Sequence, residues 1–172
     1  MNILLVDGYN IIGAWKELQA LKEHKLIDAR DRLIELMADY QAYSGMRVIV
    51  VFDAYLVPGV ATKVKQHNVE IIYTRAKETA DDRIEKLTAE LTTKRNKIYV
   101  ATSDMAEQSV IFGNGALRKS AREFEIEMQN VRTQISQKVK SIQFEKPSSK
   151  IQLSSEVMEK FEQMRRGNKL SD

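Results

Sequence analysis

Short blocks of unbroken apolar residues alternate along this chain with stretches in which apolar positions recur every third or fourth residue. The first block, Ile3-Leu4-Leu5-Val6, runs into Asp7-Gly8-Tyr9-Asn10. A continuous apolar run closed by a turn signal predicts a strand buried on both faces. Gly8 is read as the sharp turn that exposes Asp7. The same pattern predicts a second strand over Arg47-Val48-Ile49-Val50-Val51-Phe52-Asp53 and a third over Val69-Glu70-Ile71-Ile72-Tyr73. A fourth, Lys97-Ile98-Tyr99-Val100-Ala101, leads into Thr102-Ser103-Asp104.

Helical spacing fills much of the rest. Asp28 is placed to cap a helix through about Ser44, with Ala29, Leu33, Leu36, Met37 and Tyr40 on its apolar stripe and Gly45 as its stop. Thr79 opens another, whose buried stripe is Ala80, Ile84, Leu87 and Leu91. Thr62 to His67 reads as a short helix, and Tyr55 to Val60, with a proline and a glycine, as a loop. A helix is expected from about Asp104 to Val110, then a flexible Gly113-Asn114-Gly115, then a long helix from Arg118 into the 130s. Pro147-Ser148-Ser149 breaks the pattern before a last helix from Ser154 or Ser155, which Val157, Phe161 and Met164 would dock onto the body. Strands alternating with helices predict an α/β fold: a mostly parallel sheet with helices on both faces and all the strand carboxyl ends on one edge. Residues 1–146 form the body, and residues 147–172 a linker and C-terminal helix of the same unit.

Composition narrows the chemistry. The 172 residues include no cysteine, which removes disulfides, thiolate zinc sites and a cysteine nucleophile together. The start lacks a basic signal-peptide region, and no apolar run approaches membrane-spanning length, so a cytoplasmic protein is expected. The net charge of +3 is unevenly placed: residues 1–113 carry 15 Lys and Arg against 16 Asp and Glu, residues 114–172 carry 12 against 8. An acidic site with a basic skirt suits a polyanionic substrate, although for any single lysine a solvated helix face is the ordinary explanation.

The acids carry the chemical signal. Asp7, Asp53 and Asp104 stand at or just past the ends of three predicted strands, and Asp81 and Asp82 stand at a helix amino end on the same edge. Converging carboxylates repel one another, and a divalent cation relieves the repulsion. Oxygen donors without thiolates or a histidine pair favour Mg2+ or Mn2+, which can activate water and neutralise a phosphodiester's developing charge. His24 and His67 lie in polar contexts without ligand spacing and read as surface residues. Each acid also has a plain alternative. Asp7-Gly8 is a common turn. Asp82 fits the acid slot of a capping box with Thr79, Asp81 complements the helix dipole, Asp104 could cap a helix, and Asp53 could serve its loop.

Four segments, Asp7-Gly8-Tyr9-Asn10, Val51-Phe52-Asp53-Ala54, Thr79-Ala80-Asp81-Asp82 and Ala101-Thr102-Ser103-Asp104, occur together in an order that resembles the YacP-type NYN-domain proteins, whose fold is like that of PIN nucleases. Gly115-Ala116-Leu117-Arg118-Lys119-Ser120-Ala121-Arg122-Glu123 is similar too, and the likeness extends over about residues 1–165. Within that family the chain looks close to the ribosome-associated endoribonucleases of Gram-positive bacteria. The resemblance implies a PIN-like three-layer α/β/α fold and a metal-dependent ribonuclease that hydrolyses single-stranded RNA, leaving a 5′-phosphate and a 3′-hydroxyl. It implies Asp7 and Asp81 as core metal ligands, Asp104 and Asp82 completing the cluster directly or through water, and Asn10 supporting Asp7 or touching the metal site. Asp53 could only frame the pocket. It also implies mRNA on the ribosome as the substrate setting, with neither membrane nor nucleotide cofactor.

Arg75 and Lys77 lie beside the acids in sequence and are candidates for phosphate contact, with Lys63, Lys65, Arg118, Lys119 and Arg122 extending the track. Tyr9, Trp15 and Tyr55 are candidates for stacking on unpaired bases, or for core packing. Two other functions stay open: a non-catalytic RNA- or ribosome-binding module of the same fold, and a phosphotransfer domain with a strand-end Asp nucleophile. The second is disfavoured because Tyr9 occupies the position where that chemistry wants another Asp.

Overall fold

A computed structural model describes residues 1–53, 63–75, 78–103 and 115–145, together with residues 162 and 165. It builds six strands and five helices among them: β1 (Asn2–Asp7), α1 (Gly8–Ala14), α2 (Lys16–His24), α3 (Leu26–Ser44), β2 (Arg47–Phe52), β3 (Lys63–Gln66), β4 (Val69–Tyr73), α4 (Ala80–Leu91), β5 (Lys97–Thr102), β6 (Leu117–Ser120) and α5 (Ala121–Glu145). The sheet order is β3-β4-β2-β1-β5-β6. Every pairing is parallel except β3 with β4. The chain divides into two compact units, Met1–Gln137 and Lys138–Asp172.

Strand alternation sorts the core into two layers. Leu4, Val6, Val48, Val50 and Phe52 face one side, where they pack with Ile11, Ile12, Leu33, Met37, Tyr40 and Phe124. Ile3, Leu5, Ile49 and Val51 face the other, where Ile84 and Leu87 of α4 cover them. The expected α/β class, with helices on both faces of a mostly parallel sheet, is what the chain forms. β1 lies between β2 and β5, and α4 follows the parallel strand β4. The carboxyl ends of the three central strands and the amino end of α4 therefore share one edge.

Four expectations change. In place of the short helix expected from Thr62 to His67, Lys63–Gln66 is an antiparallel edge strand paired with β4. His67 and Asn68, with φ of 50° and 68°, make the tight turn between them, a conformation in which both central turn residues take positive φ and Asn is favoured. Residues 117–120 form the opposite edge strand, parallel to β5, rather than the start of a helix. The helix begins one step later, at a capping box in which Ser120 Oγ accepts from Glu123 N while Glu123 Oε2 accepts from Ser120 N. Asp28 is a first-turn acid of α3, whose N-cap is Lys25. The stretch from Ile11 to Lys25 holds two short helices that periodicity did not resolve. Tyr55–Val60, the helix expected near Asp104, Pro147–Ser149 and Val157, Phe161 and Met164 lie outside the described residues.

Candidate active site at the carboxyl edge of the sheet

Asp7 is the last residue of the central strand and is 6% exposed. It is also the N-cap of α1: its Oδ1 accepts from the backbone N–H of Asn10 at 3.1 Å. The next residue, Gly8, is needed for space rather than for an unusual backbone angle. A Cβ there would lie 2.3 Å from the ring of Phe52. The Asp-Gly pair thus starts a helix tightly against β2, which corrects the expected loop-like turn.

Asn10 ties the two neighbouring strand ends together. Its side-chain oxygen accepts from Ser103 N at 2.7 Å and from Ser103 Oγ at 2.5 Å. The tail of β5 is thereby fastened to the first turn of α1, one residue before Asp104. Asp104 itself lies outside the described residues. On the other side of β1, Asp53 follows β2 and its Oδ1 accepts from Thr74 Oγ1 at 3.4 Å. Thr74 is buried, and its backbone N–H donates to Phe52 O at 3.0 Å. Thr74 and Ser103 were not singled out from the sequence, although each is a hydroxyl residue next to a strand end.

The acids of α4 differ in their engagement. Thr79 Oγ1 accepts from Asp82 N and Asp82 Oδ2 accepts from Thr79 N, each at 3.2 Å, completing the capping box. The hydrogen bond from the Thr79 backbone holds the Asp82 carboxyl below its usual range. Asp81 is exposed in the same first turn. Glu78, just before the cap, accepts from Lys86 at 2.8 Å, and that bond lowers its pKa. Among the described residues no three acids or histidines gather closely enough to hold an ion. His24 and His67 are exposed, as expected.

The cations and aromatics sort less simply. Arg75, Lys65, Arg118 and Arg122 are exposed. Lys63 stands on β3, and Lys77 lies outside the described residues. Lys119 is engaged internally: it pairs with Glu127, donates to Tyr40 Oη at 3.1 Å and lies over the rings of Tyr40, Tyr99 and Phe124. Burial, then the hydrogen bond to Glu127, raises the Tyr40 hydroxyl far above its ordinary value. Trp15 is core, 3% exposed, with Nε1 donating to Ala121 O at 2.8 Å and its ring 5.3 Å from that of Phe124. Tyr55 lies outside the described residues. Tyr9 is half-buried with its ring 5.1 Å from Phe52.

The α/β fold agrees with the family to which the sequence assigns this chain. Residues 4–166 match the YacP-like NYN domain, and the chain belongs to that family of RNase-type domains. It is 55% identical over 168 residues to the Bacillus subtilis protein YacP, covering 98% of this chain and 99% of that one. It also superposes on the crystal structure of Rae1 (YacP) from Bacillus subtilis with a TM-score of 0.77 at 55% identity, covering 98% and 97% of the two chains. A mutant of the same protein gives 0.76.

Proposed function

We propose that the chain is a divalent-metal-dependent endoribonuclease that hydrolyses single-stranded RNA. The observation that carries this reading is Asp7: a buried carboxylate closing the central strand, between strand ends that lead to Asp53 and Asp104, with Asp81 at the helix end on the same edge. An oxygen-only donor set with no cysteine fits Mg2+ or Mn2+. Asp7 and Asp81 would hold the ion, with Asp104 completing the set. A bound ion of this kind lowers the pKa of a water and offsets the charge that builds on the phosphodiester.

The chain's own residues prepare that chemistry. Burial of Asp7 and its cap to Asn10 N fix one carboxylate before substrate arrives. The Asn10–Ser103 link fixes the approach to Asp104, so Asn10 acts as a positioning residue. Asp82 spends one oxygen on the cap and is left to contact the site through water. Exposed Arg75 stands beside the amino end of α4, where a phosphate group would enter. The family likeness supports mRNA on the translating ribosome as the substrate setting; cleavage of the same mRNA free and ribosome-bound tests it.

Single-stranded RNA should be cut in Mg2+ or Mn2+ and spared in excess chelator. Activity that survives chelation overturns the metal mechanism, and binding without cleavage in every metal, ribosomes included, would make the protein an RNA-binding module. Asp7→Asn and Asp81→Asn should abolish cleavage in folded protein. Asn caps a helix about as well as Asp, so Asp7→Asn should unfold within about 1 kcal/mol of the wild type in metal-free buffer. Full activity in either variant overturns the site assignment.

A further inference from the structure

Arg30 is an unexplained charge beside this edge. It lies in α3 next to the core residue Ala29 and one turn before buried Ile34, on the side of the helix that faces the sheet. Its Nε and Nη1 atoms are buried and make no hydrogen bond. Among the described residues no carboxylate lies within ion-pair distance of it, although Asp28 and Asp31 flank it in sequence. The hydroxyl of Tyr9 is buried beside it, and its nearest polar partner is Arg30 itself. The two groups interact through charge and through a side-chain hydrogen bond in which the guanidinium donates to the hydroxyl oxygen, and Asp53 and Tyr73 are within electrostatic reach of that hydroxyl. Burial holds the hydroxyl protonated, above its ordinary range, while Arg30 pulls the other way.

Buried donors of this kind are costly unless an acceptor reaches them. The Tyr9 oxygen meets one donor of a guanidinium that cannot lose its proton, which leaves the Tyr9 proton and a second guanidinium donor unmet. The acceptor they lack is an anion with several oxygens. Residues 54–62, which follow Asp53, contain no Asp or Glu to supply it. Tyr9 is two residues from Asp7, and its ring is fixed against Phe52, itself 5.7 Å from Tyr73. The reach from the Tyr9 hydroxyl to Asp53 and Tyr73, which end or follow β2 and β4, puts the pair near the carboxyl edge on its β2–β4 side.

We infer that Arg30 and the Tyr9 hydroxyl grip a backbone phosphate of the bound RNA, flanking the one that is cut. The inference rests on the ribonuclease reading and adds a binding determinant to it. The grip reads no base, so it fixes the register of the strand over Asp7 without adding sequence preference.

The test is binding of a fluorescent single-stranded RNA at several salt concentrations in EDTA, with cleavage kinetics in Mg2+ alongside. Arg30→Gln should bind about tenfold more weakly. Its slope of log K against log salt should be about 0.7 shallower, the loss of one single-strand phosphate contact. KM should rise with kcat nearly kept. Arg30→Lys should keep the slope and lose part of the affinity, because the ammonium lacks the planar fork. Tyr9→Phe, which keeps the ring on Phe52, should lose severalfold in affinity at unchanged slope, and it carries the test if Arg30→Gln does not fold. Wild-type affinity and slope in folded Arg30→Gln, or wild-type affinity in Tyr9→Phe where Arg30→Gln fails to fold, overturn the proposal while leaving the nuclease intact. Inorganic phosphate that raises the melting temperature of wild type but not of Arg30→Gln, with RNA binding unchanged, assigns the groups to a free anion and overturns it too. A wild type that neither binds nor cuts RNA removes both readings.

Discussion

Gly8 shows how little room the site has. Its missing side chain leaves space for the Phe52 ring, and a Cβ would meet Cε1, Cδ1 and Cζ of that ring at 2.3, 2.5 and 2.9 Å. Phe52 cannot retreat easily, because Tyr9 and Tyr73 pack against it at 5.1 and 5.7 Å between ring centroids. Gly8→Ala must therefore move either the ring stack or α1, and α1 carries the Asn10 groups that hold Asp7 and Ser103. Overpacking of this kind costs about 1–3 kcal/mol, to be read from urea unfolding. Cleavage should fall further than the unfolded fraction accounts for, because the helix that shifts positions Asp7. Adding Phe52→Leu should relieve the clash, so the double variant should be more stable than the sum of the two single losses. Additive losses would mean that Gly8 does not act through Phe52.

At the scale of elements, α4 is the part of the site whose start is set locally. Thr79→Ala removes the N-cap acceptor and should cost about 1 kcal/mol. The partner acid adds a pH dependence. The Asp82 pKa is lowered in the folded state, so its stabilising effect is present above the unfolded value of about 3.9 and is lost as pH falls through the folded one. Asp82→Asn should accordingly flatten the stability profile below about pH 4, followed by thermal melts across acid buffers; an unchanged profile would deny the cap that role. This cap was legible in the sequence because both its partners lie within four residues, as were β1, β2, β4 and β5, whose runs are buried on both faces. The two edge strands were not. Leu117–Ser120 and Lys63–Gln66 carry lysines or arginine and bury few side chains, so their pairing, not their pattern, makes them strands. Their boundaries did leave signals: the Ser120–Glu123 capping box and the His67-Asn68 turn. Asp7 and Asp53 were legible at the ends of the buried runs they close or follow. Arg30 was not, because an arginine in an amphipathic helix looks the same whether its head reaches water or is folded under a tyrosine.

Across the sheet, the described cations of the proposed RNA track divide into Lys65, Arg75, Arg118 and Arg122, which face solvent, and Lys119, which is tied into the fold, and sequence position does not separate them. Arg118 and Lys119 are adjacent on β6, yet Arg118 is exposed while the Lys119 side chain is 16% exposed and bound to Glu127. β3 and β6 are opposite edges of the sheet, so Lys65 and Arg118 lie on either flank of the central strands that carry the acids. A negative strand crossing that edge would be attracted at its flanks and repelled at its centre, where bound metal would reverse the sign. Two variants separate the kinds of cation. Lys119→Gln removes the ammonium from Glu127 Oε2 and Tyr40 Oη, leaving Glu127 the Tyr40 hydroxyl as its donor, and should lower stability by about 1–2 kcal/mol, with the salt slope of RNA binding unchanged. Arg122→Gln, on the exposed first turn of α5, should leave the melting temperature within error and make that slope about 0.7 shallower if it meets a phosphate. Doubling the loss with Arg75→Gln should double the change in slope, since the two sit at separate elements and counterion release adds over contacts. A shallower slope in Lys119→Gln would mean that its pair with Glu127 opens to receive RNA, and an unchanged slope in the Arg75→Gln, Arg122→Gln double variant would move the RNA path away from both flanks.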